Sequence, residues 1–324
     1  MSGHSVAPFV SRDRAPRIDT GYARQVSDLD IERRPELHRP ILVAAWTGWN
    51  DAGESATGAI RFIRRRWREE PFARINPDRY YDFTQARPRV RLDNGQRVIE
   101  WPRNDFTAHH REGDAPDLIL FRGIEPHLAW RSYVEQISQV IREFDVSAVV
   151  TLGGLLAEVS HARPIRLTGA SDDPALQAML DLQPRRGPGY EGPTGIVGIL
   201  GNALRDAAIP AASIWANVPH YVNASPNPKG TLALLEKLNI GLDLGLRLHD
   251  MEVFVARFDA QVAEEVARNP EMVEYARRLE ESGDDDDVVS ADDSPDETSD
   301  DLPDAQSMVD ELERFLREQR RDEG

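Results

Sequence analysis

Four short runs of apolar residues stand out along the chain, and each is bounded by turn-forming or polar residues. They are PILVAAW (40–46), DLILFRG (117–123), VSAVVTLGG (146–154) and ASIWANVP (212–219). A continuous apolar run of this length is typical of a strand that is buried on both faces of a parallel sheet. Segments with apolar positions at helical spacing separate the runs. This alternation predicts an α/β layered fold with a mainly parallel sheet.

The first predicted helix follows the first strand and has one buried stripe with helical spacing. The stripe consists of Ala56, Ala59, Ile60, Ile63 and Trp67. Between the stripe positions we expect a solvated basic face formed by Arg61, Arg64, Arg65 and Arg68. Further helices are predicted within 129–144, 172–182, 192–210, 226–244 and 251–281, the last with a break near Asn269-Pro270.

Two smaller features complete the predicted elements. Alternating apolar residues flank Asp93-Asn94-Gly95, and this pattern predicts a β-hairpin because Asn-Gly accepts the positive φ of a tight turn. PIRLTG (164–169) is predicted to be a short strand.

The pattern divides the chain into four regions. They are a flexible N-terminal tail (1–39), an α/β domain with a helical C-terminal extension (40–281), a disordered acidic linker (282–303) and an amphipathic C-terminal helix (304–324). The last helix is predicted because Met308, Leu312, Phe315 and Leu316 share one face. The linker carries too little apolar surface to fold by itself.

The net charge of −17 is concentrated in one segment. Between Glu280 and Asp304 there are 13 acidic residues and no lysine or arginine, so the remaining chain has a net charge of only −17 + 13 = −4. No basic patch dominates the sequence, and nucleic acid is therefore not expected as the main partner.

Composition excludes several further classes of protein. The chain has no cysteine, which excludes disulfides, thiol catalysis and cysteine-ligated zinc. No apolar run is long enough to span a membrane, and the polar N-terminus lacks the apolar core of a signal peptide. We therefore expect a cytoplasmic protein that needs no membrane partner and no cofactor.

The segment TGWNDAGES (47–55) follows the first strand and resembles a phosphate-binding loop, because Gly48 and Gly53 have the GxxxxG spacing. Such a loop needs a lysine to bridge the phosphates, but this chain has Glu54 there and Asp51 inside the loop. We reject a nucleotide site. Instead we expect a tight strand-to-helix turn, with Asp51 or Ser55 capping the first helical turn.

Other glycine motifs are also predicted to be structural. GPGYEG (187–192) matches the dinucleotide fingerprint in spacing but follows a predicted helix, whereas that fingerprint follows a strand. We expect glycines in the next helix to let it pack closely on the sheet. The predicted structural glycines are Gly48, Gly53, Gly153, Gly154, Gly195 and Gly198, with Gly201 in the same helical series.

Ligands of open α/β sheets bind where the strands end, so polar residues there define a candidate cleft. Five such residues are Asp51, Glu54, Arg122, Glu125 and His220. The sequence offers no complete hydrolase motif to accompany them. His109-His110 is expected to lie in a surface loop, and no metal site is predicted.

Four motifs together resemble the proteasome assembly chaperone family of the second type, in its bacterial branch. They are GWNDAG (48–53), RGIEPHLAW (122–130), VVTLGG (149–154) and PTGIVGILGNAL (193–204). The resemblance spans about residues 40–250. It implies a three-layer α/β/α sandwich, similar to the phosphorylase and hydrolase group, and a protein that assembles with itself or with others.

Three functional hypotheses remain open. The first is a non-enzymatic assembly protein, a homo-oligomer whose protein partners include proteasome components, although the Asp322-Glu323-Gly324 terminus lacks the hydrophobic-Tyr-any tail of ring-docking chaperones. The second is a small-molecule enzyme, with nucleoside-phosphorylase-like or hydrolase-like activity, that uses Asp51, Glu54 and His220 as acid–base groups. The third concerns the tail, whose final helix docks on its own body or on a neighbour, with the arginine-rich face as one electrostatic target.

Overall fold

The computed structural model describes residues 28–185, 192–222 and 224–281. The predicted acidic linker (282–303) and C-terminal helix (304–324) lie outside these residues, as do residues 1–27 of the predicted tail and GPGYEG up to residue 191. Within the described residues, nine strands form one sheet and two form a separate hairpin. The strands are β1 (Leu29–Ile31), β2 (Ile41–Thr47), β3 (Pro71–Ile75), β4 (Arg89–Asp93), β5 (Gln96–Glu100), β6 (Asp105–His109), β7 (Leu118–Ile124), β8 (Ala148–Ala157), β9 (Leu167–Ser171), β10 (Gln183–Pro184) and β11 (Ala211–Pro219).

The sheet has the strand order β1-β3-β6-β7-β2-β8-β11-β9-β10. Its centre is parallel, because β7, β2, β8 and β11 are neighbours that run in the same direction. These strands are the four predicted apolar runs. On one side β6, β3 and β1 pair antiparallel, and on the other β9 pairs antiparallel with β11. The predicted parallel core is confirmed, and the complete sheet is mixed.

Helices cover both faces of the sheet. They are α1 (Ser55–Trp67), α2 (Trp130–Glu143), α3 (Pro174–Leu180), α4 (Ile196–Asp206), α5 (Pro228–Gly241), α6 (His249–Ala267) and α7 (Pro270–Glu281). Single 3-10 turns lie at Ala52–Glu54 and Pro77–Arg79.

Two apolar cores lie on opposite sides of the sheet because successive side chains of a strand alternate between its faces. In β2, Leu42 and Trp46 face the core that α2 and α4 cover. Ile41 and Val43 face the core that α1 and α5 cover. The chain is therefore a three-layer α/β/α sandwich, as the family resemblance implies.

The C-terminal helices pack outside this sandwich. Asp259 of α6 pairs with Lys229 at the start of α5, with a distance of 3.3 Å between Oδ1 and Nζ. Near the end of α7, Glu280 accepts a hydrogen bond of 2.9 Å from the hydroxyl of Ser160. The predicted helix break is confirmed, because α6 ends at Ala267 and α7 begins at Pro270.

The predicted hairpin, the short strand and the N-terminal tail agree with the structure to different extents. The hairpin is confirmed, with positive φ at both Asn94 and Gly95. The short strand near 164–169 begins later, at Leu167. Residues 28–39 belong to the predicted tail, yet they include β1, whose Leu29 is buried. The short strands β3 and β6 are absent from the prediction because polar residues interrupt their apolar pattern.

Candidate functional site

The loop after β2 lies at the carboxyl end of the parallel strands and approaches the loop after β7 closely. Gly48 has a φ of 138°, which side-chain-bearing residues rarely adopt. A Cβ atom on Gly48 would lie 2.9 Å from Cβ of Glu125. The glycine is therefore required on two grounds, its backbone conformation and the space it leaves for Glu125.

The carboxylate of Glu125 joins three separate segments of the chain. Its Oε1 accepts hydrogen bonds from Nδ2 of Asn50, at 2.7 Å, and from the backbone N–H of Ile196, at 2.9 Å. Its Oε2 accepts a bond of 3.3 Å from the backbone N–H of Trp49. Ile196 begins α4, and a carboxylate at a helix N-terminus is favoured by the free N–H groups and the helix dipole. Glu125 thus fixes α4 to the loop after β2.

Asn50 connects the loop after β2 to β8 and to Gly195. The backbone carbonyl of Asn50 accepts a hydrogen bond of 2.9 Å from the N–H of Gly154. A Cβ atom on Gly195 would lie only 2.3 Å from Oδ1 of Asn50, so the approach of α4 depends on that glycine. Asn50 is itself buried. We name the contacts of Asn50, Glu125, Gly154 and Ile196 the four-motif junction, since each residue comes from a different sequence motif.

Asp51 is buried and stabilises the beginning of α1. Its carboxylate accepts hydrogen bonds from the backbone N–H groups of Ala56 and Thr57 and from the Thr57 hydroxyl. Burial raises the pKa of Asp51 from 3.8 to about 6, while these hydrogen bonds lower it and nearby Glu54 raises it. The side chain occupies the capping role expected of it, although its backbone lies several residues before the helix begins.

A family model matches residues 45–266, a range that includes all four motifs of the junction. The chain belongs to the PAC2 family. Its membership agrees with the resemblance that the four motifs carry. The junction is where these motifs meet in this PAC2 protein, and each contributes a contact that shapes the loop after β2.

Solved structures support the same assignment. The chain is similar to a PAC2 family protein from Streptomyces avermitilis MA, with 42% identity over 73% of this chain and 99% of that chain, and a TM-score of 0.66. It is also similar to a proteasome-assembly chaperone homologue from Mycobacterium tuberculosis, with 37% identity over 72% of this chain and 99% of that chain, and a TM-score of 0.64.

A more distant likeness concerns the fold alone. An archaeal proteasome activator from Pyrococcus furiosus shares 16% identity over 73% of this chain and 97% of that chain, with a TM-score of 0.60. No curated protein matches this PAC2 chain.

The structure does not bring the five candidate cleft residues into one cavity. A cavity of about 430 Å³ lies beside the four-motif junction. Of the five, Glu125 alone lines it, together with Trp49, His127 and Trp130. Asp51 is bonded to α1, and Glu54, which has a φ of 50°, pairs with Arg61 at 2.9 Å.

Arg122 lies within electrostatic range of Glu54 but does not line the cavity, and His220 lies in another environment. Arg122 faces Asp105 of β6, because the two residues are opposite each other in the β6–β7 ladder. His220 packs against the rings of Tyr221 and Tyr275, and its Nε2 lies 3.3 Å from the Tyr275 hydroxyl. The cleft expectation is therefore corrected for these residues. Strand ends share an edge of the sheet, but side-chain direction and loop path separate the groups along it.

The glycines of α4 also differ from expectation. Only Gly195 excludes a side chain through contact with another segment. A Cβ atom on Gly198 would meet Thr194 of the preceding turn, and one on Gly201 would meet nothing within 4 Å. Close packing of this helix therefore depends on its first glycine and not on a glycine stripe against the sheet.

A buried polar network beneath the cavity was not predicted from the sequence. Oδ1 of Asn104 accepts hydrogen bonds from the hydroxyls of Tyr81, at 2.7 Å, and Tyr133, at 2.9 Å, and from the N–H of Ile124, at 3.1 Å. Burial raises the pKa of both tyrosines. The network fixes the end of β7 just before Glu125. No local motif reveals it, since its members come from three distant segments.

His109 and His110 point to different partners. His109 stacks on Trp67, with ring centroids 3.8 Å apart, and its Nδ1 lies 3.2 Å from Glu69. His110 lies 3.3 Å from Asp117. Among the described residues, no group of three or more histidine, aspartate or glutamate side chains is arranged to hold a metal ion. In the same part of the chain, no helix combines the length and apolarity that crossing a membrane requires.

Proposed function

We propose that this PAC2 protein is a non-enzymatic, cytoplasmic assembly protein that binds protein partners through the carboxyl edge of its sheet. The proposal depends on one observation: the carboxylates of Glu125 and Asp51 at this edge are hydrogen-bonded within the protein. Both oxygens of Glu125 accept N–H hydrogen bonds, and the carboxylate of Asp51 is bonded to the first turn of α1. These hydrogen bonds shape loops, which supports a structural role for both carboxylates in preference to a catalytic one.

Three large apolar side chains are exposed at the same edge, beside polar residues such as Thr47 and His220. Trp49 is 61% exposed, Leu128 is 54% exposed and Leu156, near the end of β8, is 58% exposed. Single exposed apolar residues are ordinary, but Trp49 lines the cavity and Leu128 directly follows His127, which also lines it. Exposed aromatic and aliphatic side chains beside a cavity are typical of protein interaction sites. The rigid junction beneath Trp49 limits the entropy that binding would cost.

Similarity to the Mycobacterium tuberculosis homologue suggests which partners to examine first. We propose that proteasome components are among them, and that the chain also associates with itself. The edge surface suits either partner because its apolar side chains lie outside the three-layer core.

Capture from extract of the native host, with the full chain as bait, tests the proposal. The variant Trp49→Ala/Leu128→Ala is expected to lose the partners that the unmodified chain retains, with proteasome subunits among them. Ile240→Ala is the matched control, because Ile240 is 82% exposed on α5 and lies away from the edge. Equal capture by all three proteins, or no specific capture by any, would refute the edge as a binding surface.

The enzymatic alternative has its own test. His127 lines the cavity, and its Nδ1 accepts a hydrogen bond of 3.0 Å from the N–H of Asp82, which leaves Nε2 as the acid–base group. Turnover of a nucleoside or an ester that is abolished by His127→Ala would favour an enzyme over an assembly protein. Self-association is measured separately by light scattering on the unmodified chain and the edge variant.

A further inference from the structure

A row of charged residues crosses three neighbouring strands on the sheet face covered by α1. The register places Arg74 of β3 opposite Asp105 of β6, and Asp105 opposite Arg122 of β7. Directly paired residues project from the same face, with Cβ atoms about 5 Å apart. Asp105 is therefore flanked by two arginines, and its carboxylate is buried.

Helix α1 brings two more arginines to this row. Arg64 is only 18% exposed, and its Nη2 lies 3.8 Å from Oδ2 of Asp105. Arg61 lies one turn earlier and has a repulsive interaction with Arg122. The expectation of a fully solvated basic face is thus wrong for Arg64, which faces the sheet.

Arg103, just before β6, completes a set that we name the arginine cluster. Its members are Arg61, Arg64, Arg74, Arg103 and Arg122. Arg103 is exposed and contributes repulsion to both Arg64 and Arg122. Burial and this repulsion lower the pKa of Arg64 and Arg122, although Asp105 opposes the effect.

Four carboxylates lie beside the five arginines of the cluster, namely Glu32, Glu54, Glu70 and Asp105, so an excess of one positive charge remains. Arg61 pairs with Glu54, and Arg74 pairs with Glu32 and lies 3.4 Å from Asp105. Within residues 28–185, 192–222 and 224–281, neither Arg103 nor Arg122 lies within 4 Å of a carboxylate oxygen, although Asp105 and Glu54 attract Arg122 from a greater distance. The exposed guanidinium group of Arg103 therefore remains available to an acidic ligand, with half-buried Arg122 beside it.

We propose that the arginine cluster binds the acidic segment of the same chain, residues 283–304. This segment has 11 acidic residues and no lysine or arginine, so its charge is complementary to the cluster. Carboxylates bind guanidinium groups well because the fork of donors matches their two oxygens. The proposal is independent of the edge surface and concerns a different face of the molecule.

The geometry of the chain permits this contact. Helix α7 ends at Glu281, and Glu280 contacts Ser160 in the loop after β8. In the sheet, β7 is two strands away from β8, a separation of about 10 Å. A segment of this length can extend to about 70 Å. The acidic residues can therefore reach the cluster without rearrangement of the sandwich.

The absence of cysteine allows a direct test in the full chain. Arg65→Cys, on α1, and Ser294→Cys, in the acidic segment, provide two sites for nitroxide labels. Double electron–electron resonance is expected to give a narrow distance population at about 50 mM salt. At about 1 M salt the Debye length falls to about 3 Å, and the population should broaden.

Charge-neutral variants identify the binding groups. Arg103→Gln/Arg122→Gln is expected to lose the narrow population even at low salt. Arg131→Gln/Arg142→Gln removes the same charge from α2, on the opposite layer, and is expected to retain it. If the double variant is unstable, Arg103→Gln alone replaces it and is also expected to lose the narrow population. Arg103 is exposed and has no ion pair among the described residues, so its replacement should not destabilise the fold.

Three results would overturn the proposal. The first is a broad distribution in the unmodified sequence at low salt. The second is a narrow population that survives both cluster variants. The third is the same distance between singly labelled chains that have been mixed, which would place the contact between two copies instead of within one.

Discussion

Replacing Asp51 with asparagine is expected to change how the stability of the protein depends on pH. The carboxylate is buried and accepts hydrogen bonds from Ala56 and Thr57. An amide of the same shape retains an oxygen for Ala56 and can donate to the Thr57 hydroxyl, but it carries no ionisable group. The substitution therefore removes one titration while leaving the turn before α1 nearly unchanged in volume.

The sign of the effect follows from the pKa of Asp51, which burial raises from 3.8 to about 6. Because the folded state holds this proton more tightly than the unfolded state, ionisation destabilises the fold. The cost is absent below about pH 3.8 and complete above about pH 6, where it reaches about 3 kcal/mol at 1.36 kcal/mol per pKa unit. Of this, about 2 kcal/mol develops between pH 4.5 and pH 7.

Urea denaturation of the unmodified chain and Asp51→Asn across this pH range measures the difference. The free energy of unfolding of the variant, minus that of the unmodified chain, should rise with pH. Asp82→Asn is the control, because hydrogen bonds from Thr84 lower the pKa of Asp82 from 3.8. Its difference should be nearly flat between pH 4.5 and pH 7 and should fall with rising pH only in measurements extended below about pH 3.8. A flat or falling curve for Asp51→Asn would show that burial does not dominate this site.

Two further substitutions test packing and hydrogen bonding by the same denaturation assay. Gly195→Ala should destabilise the fold by about 1–3 kcal/mol, because the new Cβ would lie 2.3 Å from Oδ1 of Asn50. Gly201→Ala, which meets no atom within 4 Å, should stabilise the fold by up to about 1 kcal/mol. Equal effects of the two substitutions would contradict the close packing of Gly195 against Asn50. Asn104→Ala should cost about 2–4 kcal/mol, because it leaves the N–H of Ile124 without its acceptor and removes a buried side chain that the Tyr81 and Tyr133 hydroxyls contact. Tyr81→Phe should cost about 1 kcal/mol, and a smaller loss for Asn104→Ala would show that the network is not cooperative.

The parallel core of the sheet was predictable because each of its strands is encoded locally. Continuous apolar runs such as 40–46 have to be buried on both faces, and the helices between them carry one apolar stripe each. The capping role of Asp51 could also be anticipated from its place between a strand and a helix. These features depend on neighbours within a few residues.

The antiparallel flank and the arginine cluster could not be predicted in this way. Strand β6 reads DFTAH, a short segment whose polar residues obscure any alternation. Arg74, Asp105 and Arg122 meet only because the register of β3, β6 and β7 places them opposite each other, and register depends on the complete sheet. The same limitation explains why His220 was grouped with Glu125.

The contacts of Glu125 indicate that the residues of the four motifs determine the conformation of the loop after β2. A catalytic carboxylate at a strand end would be expected to face the cavity with an oxygen free for substrate. Here the motif supplies Gly48 to admit Glu125, Gly195 to admit Asn50, and donors for both carboxylate oxygens. The result is a rigid loop that carries Trp49 into solvent. This constellation holds an apolar side chain outward at the place where α/β enzymes position reactive groups, and the proposal that the edge binds another protein depends on it.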